Sequence, residues 1–325
     1  MIIRDKVAVL DKGYDSYEYE KKLFSENGYR FHIFPGKDGD RSGKIKFAED
    51  AAGIFIRGSV IDDPFLNQTP RLRAISRYGT GYDNIDIAST VRHGVKVANV
   101  SGYANHSVSD HAIALMFACA RALPQGKRSL RCCFGRPPVK QVIEFQDKIL
   151  GIIGLGRIGS TLCRKVLPVF KEVLACDPYI PEERFREAGA CMTGLDNLLK
   201  RSDVVSIHCN LTEETTGLIH RENMCLMKKR PILINTARGA VIDESDLVRG
   251  LKAGQFHSVG LDVFSEEPPV KMLKWLSSHP QVIATGHYAW YSDNASVELQ
   301  RRAANNLLSM LQGETPGDCL NPEAV

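Results

Sequence analysis

Arg238, Glu267 and His287 follow one another in the later part of the chain, each a short step past an apolar run. Arg238 lies in Ile234-Asn235-Thr236-Ala237-Arg238-Gly239, where the carboxyl edge of a parallel sheet is expected and where open α/β sheets bind ligands. A guanidinium there can grip a carboxylate through two parallel hydrogen bonds and polarise an adjacent keto oxygen. Val259-Gly260-Leu261-Asp262 leads toward Glu267-Pro268 in the same way, and Thr285-Gly286-His287 follows the last apolar run. A carboxylate beside an imidazole favours its charged form and fixes its tautomer, so His287 could hand a proton to a carbonyl oxygen as hydride reaches the carbon. Each residue also has a plain reading. Arg238 can cap or pair with Asp243, a Glu-Glu-Pro turn is ordinarily solvated, and a lone histidine after a strand is more often a satisfied surface or core residue.

A source of hydride is written upstream. Ile152-Ile153-Gly154-Leu155-Gly156-Arg157-Ile158-Gly159 ends an apolar strand and opens a helix, and Asp177 closes the next strand at Leu174-Ala175-Cys176-Asp177. Gly154 permits the tight turn, Gly156 lets backbone approach a pyrophosphate, Gly159 allows close helix packing, and the amides of the helix N-terminus hold phosphates. Asp177 is expected to accept from ribose hydroxyls and to repel a 2′-phosphate, which favours NAD over NADP; its plain reading is the start of an Asp177-Pro178 turn. Asp262 is expected to face the nicotinamide end. A Gly-rich turn alone can bind nothing, but strand, helix and acid at this spacing make a dinucleotide fingerprint.

The elements that must position these residues are short apolar strands alternating with helices. Lys6 to Leu10, Arg30 to Phe34, Gly53 to Ile56, Ala74 to Ser76 and Val95 to Ala98 predict a small parallel α/β unit. Ala112, Leu115, Met116 and Cys119 lie at helical spacing and predict a long buried helix over Ser107 to Leu123, leaving that unit. Pro124, Gly126, Gly135, Pro137 and Pro138 read as a loop or boundary. A second alternation, Lys148 to Gly154, Val173 to Cys176, Asp203 to His208, Pro231 to Asn235, Ser258 to Asp262 and Val282 to Thr285, predicts a doubly wound parallel sheet. The tail from Ala295 to Gln312 carries Val297, Leu299, Ala303, Leu307, Leu308 and Leu311 on one helical stripe and is expected to pack back onto the first unit, making it discontinuous. The domains are therefore expected at 1–100 with 295–325, and at 101–294.

Composition narrows the classes. A chain of 325 residues with 43% hydrophobic and 25% charged residues suits two folded domains. A net charge of +4, from 42 basic and 38 acidic residues spread along the chain, does not point to direct nucleic-acid binding. The N-terminus runs into Val7-Ala8-Val9-Leu10 without a signal-peptide pattern, and no apolar run approaches bilayer length, so neither a membrane nor export is expected. The nine cysteines, with adjacent Cys132-Cys133, form no CxxC metal pairs and no even disulfide framework. Free thiols, no metal and a reducing, cytoplasmic location are the reading.

Taken with Gly79-Thr80-Gly81-Tyr82-Asp83-Asn84-Ile85-Asp86, Asp203-Val204-Val205-Ser206-Ile207-His208 and Leu261 to Pro268, these motifs are similar to the D-isomer-specific 2-hydroxyacid dehydrogenase family over nearly the whole chain. The resemblance implies a Rossmann-type doubly wound sheet plus a discontinuous flavodoxin-like α/β substrate domain, with the acid held between domains and a homodimer formed through the helix after Ser107. It implies that Arg238 binds the substrate, Glu267 tunes His287, and His287 is the acid/base. It gives NAD contacts at Thr80, Arg157, Ile158, Asp177, Cys209, Thr236 and Asp262, and a carboxylate-binding loop of backbone amides from Tyr78 through Gly79 to Gly81. Arg57 and Arg77 match positions where the phosphoglycerate dehydrogenase branch surrounds its anionic substrate, whereas Tyr288 and Trp290 could instead wall off an apolar group. Arg57 can equally be a loop residue in solvent.

Two positions depart from the pattern: Gly286 and Asn210 replace prolines, and Gly286 loosens the histidine loop. Ala289 to Ser296 with His208-Cys209 is closer to the branch containing the C-terminal binding proteins, NADH-dependent corepressors that bind peptide motifs. That scaffold role is the alternative to an enzyme acting on a small 2-keto or 2-hydroxy acid. The β-hydroxyacid dehydrogenases share the nucleotide turn but need a catalytic lysine in a helical second domain, which this sequence does not follow with.

Overall fold

Uncharged runs of Val, Ile, Leu and Ala can be buried on both faces, which is what strands of a parallel sheet covered by helices require. The computed structural model describes residues 5–132, 134–135, 141–269, 275–276 and 278–324. Two units result, Met1–Tyr103 with Ser292–Val325, and Ala104–Tyr291.

In the first unit β1 (Lys6–Val9), β2 (Arg30–Ile33), β3 (Ala51–Ile56), β4 (Ala74–Arg77) and β5 (Lys96–Ala98) pair in parallel in the order β2-β1-β3-β4-β5. This is the flavodoxin-like order. All six residues of β3 are buried, whereas edge strand β2 is largely exposed. The tail helix Asp293–Leu311 covers the sheet: a Cβ on Gly53 would lie 3.0 Å from Leu311 Cδ1, and Ser76 Oγ donates to Ala303 O at 2.9 Å. Leu299, Ala303, Leu307 and Leu311 form its buried stripe. Val297, expected on that stripe, is 67% exposed, because it lies two residues before Leu299 and so on another face.

In the second unit β6 (Ile149–Ile153), β7 (Glu172–Cys176), β8 (Cys191–Met192), β9 (Val204–Ile207), β10 (Ile232–Asn235), β11 (Ser258–Leu261) and β12 (Val282–Ala284) form one parallel sheet in the order β12-β11-β10-β9-β6-β7-β8. The chain reverses direction across the sheet between β6 and β9, the switch point where doubly wound sheets take their nucleotide. Helix Asn105–Ala120 buries Ala112, Leu115, Met116 and Cys119 in this unit's core. Pro124 and Gly126 do not mark a loop: they sit inside helix Leu123–Cys132, where a proline in the first turn removes no intrahelical bond. Pro137, Pro138 and Cys133 lie outside the described residues.

Among the described residues no helix is long and apolar enough to cross a membrane, and no group of three or more His, Cys, Asp or Glu is placed to hold a metal ion.

Candidate active site

The end of β6 is shaped by what cannot fit beside it. Gly154 has φ +87°, and a Cβ on it would lie 2.5 Å from Cys209 N, so the turn brings the backbone after β9 against the backbone after β6. A Cβ on Gly159 would lie 2.1 Å from Gly154 O, which sets helix Arg157–Val166 close against the turn. Gly156, the N-cap of that helix, faces open space. An accessible backbone and a ten-residue helix N-terminus suit a pyrophosphate. Thr236 adds a buried Oγ1 without a hydrogen-bond partner, so the residues present fit a dinucleotide with polar groups left to satisfy.

Asp177 closes β7 half-buried, its Oδ2 accepting from Leu155 N at 2.9 Å and its Oδ1 from Tyr179 N at 3.1 Å. Each oxygen keeps a further lone pair for a ribose hydroxyl. Arg157 is exposed and Ile158 half-buried at the helix start. The half-buried Cys209 thiol is pushed up to about 11 by burial, which leaves it protonated and unreactive at neutral pH. Neighbouring His208 is pushed down to about 4 by burial and is neutral, with Nε2 2.8 Å from Ser206 Oγ. Exposed Asn210, the proline replacement, accepts from Thr215 Oγ1 at 2.6 Å through its carbonyl.

Adjacent strands β10, β11 and β12 deliver Arg238, Glu267 and His287. Asn235 fixes the first turn, its Nδ2 donating to Arg238 O at 2.9 Å and its Oδ1 accepting from Ala237 N at 3.0 Å. Gly239 lets this turn pack against the next one: a Cβ there would lie 1.9 Å from Phe264 C. The half-buried Arg238 donates from Nη1 to Ala237 O at 2.8 Å. Glu267 Oε1 accepts from Phe264 N at 3.1 Å, and its Oε2 lies 2.5 Å from His287 Nδ1. Burial pushes the Glu267 carboxyl up, but the His287 hydrogen bond and charge, the Phe264 amide and the Arg238 charge outweigh it and hold it below its ordinary 4.5. A histidine tied through Nδ1 to a carboxylate presents Nε2 for proton transfer.

His287 has φ +54°, and its amide donates to Asp262 O at 2.8 Å. Asp262 is fully buried, and its carboxylate accepts from Thr285 Oγ1 at 2.6 Å, Tyr288 N at 3.2 Å and Ala289 N at 2.9 Å. Trp290 donates from Nε1 to His287 O at 3.1 Å, so its indole braces the histidine turn. His111 and Thr285 were missed by sequence reasoning. The signal for His111 was its place four residues before Leu115, on the buried face of its helix.

In the first unit the loops after β1, β3 and β4 gather at one sheet edge. Asp11 Oδ2 accepts from the amides of Arg57, Gly58 and Ser59 at 2.7, 2.9 and 2.8 Å, while Lys44 pairs with its Oδ1 at 2.6 Å. Burial pushes the Asp11 carboxyl up, but these partners outweigh it and lower it, so the loop bearing Arg57 is anchored to a charge. Arg57 Nη1 donates to Lys12 O at 3.3 Å and Arg77 Nη1 to Tyr78 O at 3.0 Å. Gly79 has φ +133°, exposed Thr80 donates its hydroxyl to Val100 O at 3.0 Å, and half-buried Gly81 continues the loop. Tyr78 does not fit the role expected of it. Its amide is held in the sheet by Ile56 O at 2.9 Å and its buried phenol donates to Glu20 Oε1 at 2.9 Å, leaving neither donor for a substrate carboxylate.

The family model described as D-isomer specific 2-hydroxyacid dehydrogenase, NAD binding domain, matches residues 113–289. The D-3-phosphoglycerate dehydrogenase of Archaeoglobus fulgidus is 35% identical over 312 residues, 96% of this chain and 58% of that protein, so the chain spans little more than half the length of this relative. The glyoxylate reductase of Korarchaeum cryptofilum is 34% identical over 271 residues, 82% of this chain and 81% of that protein. The crystal structure of D-lactate dehydrogenase from Aquifex aeolicus, complexed with NAD and lactic acid, is similar with a TM-score of 0.84 and 26% identity, covering 95% of this chain and 96% of that one.

Proposed function

Because the chain belongs to the D-isomer-specific 2-hydroxyacid dehydrogenase family, we propose that it interconverts a small 2-keto acid and its D-2-hydroxy acid with NAD(H) as cofactor. The observation that carries this reading is the 2.5 Å contact of His287 Nδ1 with Glu267 Oε2, one strand away from Arg238. The Gly154–Gly159 turn, Thr236 and Asp177, with Thr80, Arg157, Ile158, Cys209 and Asp262 as further proposed contacts, would hold NAD(H), which when bound would supply the hydride or accept it. Arg238 grips the acid's carboxylate and polarises the keto oxygen. His287 gives its Nε2 proton to that oxygen during reduction and takes it back during oxidation, while the Glu267 carboxylate stabilises the imidazolium. Unit Ala104–Tyr291 is the nucleotide domain in this reading, and Arg57, Arg77 and the Gly79–Gly81 loop are proposed substrate contacts. Trp290 limits the substrate's side chain.

The names of the relatives favour phosphoglycerate- or glyoxylate-type acids, and hydroxypyruvate is included in the proposal as a further small 2-keto acid. A homodimer through helix Asn105–Ala120 and a cytoplasmic location, the latter read from the free thiols among the described cysteines, complete the proposal. The test is NADH oxidation, followed by absorbance, with hydroxypyruvate, glyoxylate, 3-phosphohydroxypyruvate and 4-methylthio-2-oxobutyrate. At least one is expected to turn over, with kcat lowered roughly 10²- to 10⁴-fold in His287→Ala. Unchanged turnover in His287→Ala and Arg238→Ala defeats the mechanism. Tight NADH binding without turnover of any acid favours the corepressor-like scaffold.

A further inference from the structure

The turn that carries His287 has little stiffness of its own. Gly286 precedes it, exposed and with open space where a Cβ would be, and His287 takes φ +54°, a region that a residue with a side chain occupies only when its surroundings hold it there. What holds it lies beneath the turn. The buried Asp262 takes the His287 amide on its carbonyl and the Tyr288 and Ala289 amides on its carboxylate. Thr285 Oγ1 donates to Asp262 Oδ1 at 2.6 Å and lies 3.0 Å from His111 Nε2. Since Thr285 has one hydroxyl proton and directs it to Asp262, its oxygen accepts from the imidazole, which places a proton on His111 Nε2. The same ring stands edge-on to Tyr288 with centroids 5.1 Å apart, and its Nε2 is 3.6 Å from Asp262 Oδ1. His111, from a distant helix, thus touches both flanks of the turn.

We propose that His111 is a positioning residue for the reaction: by donating to Thr285, and through it orienting the Asp262 carboxylate, it holds the Thr285–Ala289 turn so that His287 meets Glu267. The stiffness that a proline before the histidine would give is supplied here by side chains underneath. The inference rests on His287 as the acid/base, but its structural half can be read without turnover.

Nitrogen-detected NMR of the imidazoles in the full chain reports the surroundings of His287, and steady-state kinetics with the best keto acid reports the chemistry. In His111→Ala and in the nearly isosteric Thr285→Val, the His287 signals are expected to broaden and move toward those of a solvated histidine. The value of kcat is expected to fall roughly 10- to 100-fold, the order that a misplaced reacting group costs. His111→Gln, which keeps an N–H where Nε2 stood, and Thr285→Ser are expected to restore both readouts. His287 signals and kcat unchanged in both disrupting variants overturn the proposal. So does a loss that Gln and Ser fail to restore, because it marks general damage to the fold. A wild-type chain that reduces no keto acid, yet whose His287 signals move in these variants, defeats the dehydrogenase reading while supporting the brace.

Discussion

Glu267 and Glu20 are perturbed in opposite senses, the first lowered and the second raised. Glu267 ionises more readily in the folded chain than its ordinary 4.5, so its pairing with His287 contributes fully above that value and is lost as pH falls through the lower folded one. With side chains 36% and 42% exposed, the pair is screened, and Glu267→Gln is expected to cost about 0.5 kcal/mol or less at pH 7. Urea unfolding at several pH values should show that difference shrinking below pH 4.5; growth on acidification would contradict the assignment. Glu20 is raised, because burial outweighs its bonds from Tyr78 and Gln300. A raised carboxyl contributes stability below its unfolded value that is lost as pH rises through the folded one, so Glu20→Gln, which keeps an acceptor for both partners, should stabilise the chain by about 1 kcal/mol at pH 8 and not at pH 4. A stabilisation equal at both pH values would show that charge is not the cause. Arg238, Glu267 and His287 were legible because each follows an apolar run ending at a sheet edge. The fate of Tyr78 was not, since its amide is claimed by Ile56 on a neighbouring strand.

At the scale of elements, the turns after β10 and β11 are fused at one atom's width. A Cβ on Gly239 would meet Phe264 C at 1.9 Å and Phe264 O at 2.2 Å, both backbone, so neither a rotamer change nor a flexible tip can relieve the overlap. Gly239→Ala is therefore expected to destabilise the unit by about 1–3 kcal/mol and to lower kcat/KM by displacing Arg238 and Glu267 together. Thermal unfolding and kinetics check this, and wild-type values for both would show that the turns can part freely. The strands were readable from apolar runs flanked by turn residues, to within two residues at each end. Two-residue β8 was not, because Cys191 and Met192 are exposed and too few to carry a period. Helix Leu123–Cys132 was hidden by Pro124 and Gly126, residues that usually punctuate a chain but that a first helical turn tolerates. The contact of His111 with Thr285 joins residues 174 positions apart, beyond anything local spacing encodes.

For the molecule as a whole, the question is what covers its exposed apolar side chains. Leu123 is 58% exposed, Leu130 66% and Phe134 83%, all on or just after the helix that follows Asn105–Ala120. Scattered exposed leucines are ordinary, but three large apolar groups along twelve residues beside the proposed dimer helix offer an edge for a second copy to bury. The proposed homodimer therefore predicts sedimentation of the wild-type chain at twice its 36.1 kDa mass at micromolar concentration. Replacing two of these groups with charges, in Leu130→Glu with Phe134→Asp, should raise the dimer dissociation constant by roughly 30-fold or more, as loss of a central apolar anchor does at other interfaces. Both substitutions sit on the surface, so the monomer should keep its thermal stability. A variant that sediments as the same dimer at the same concentrations would place the interface on another face, and a wild-type chain that is monomeric throughout would remove the homodimer from the proposal.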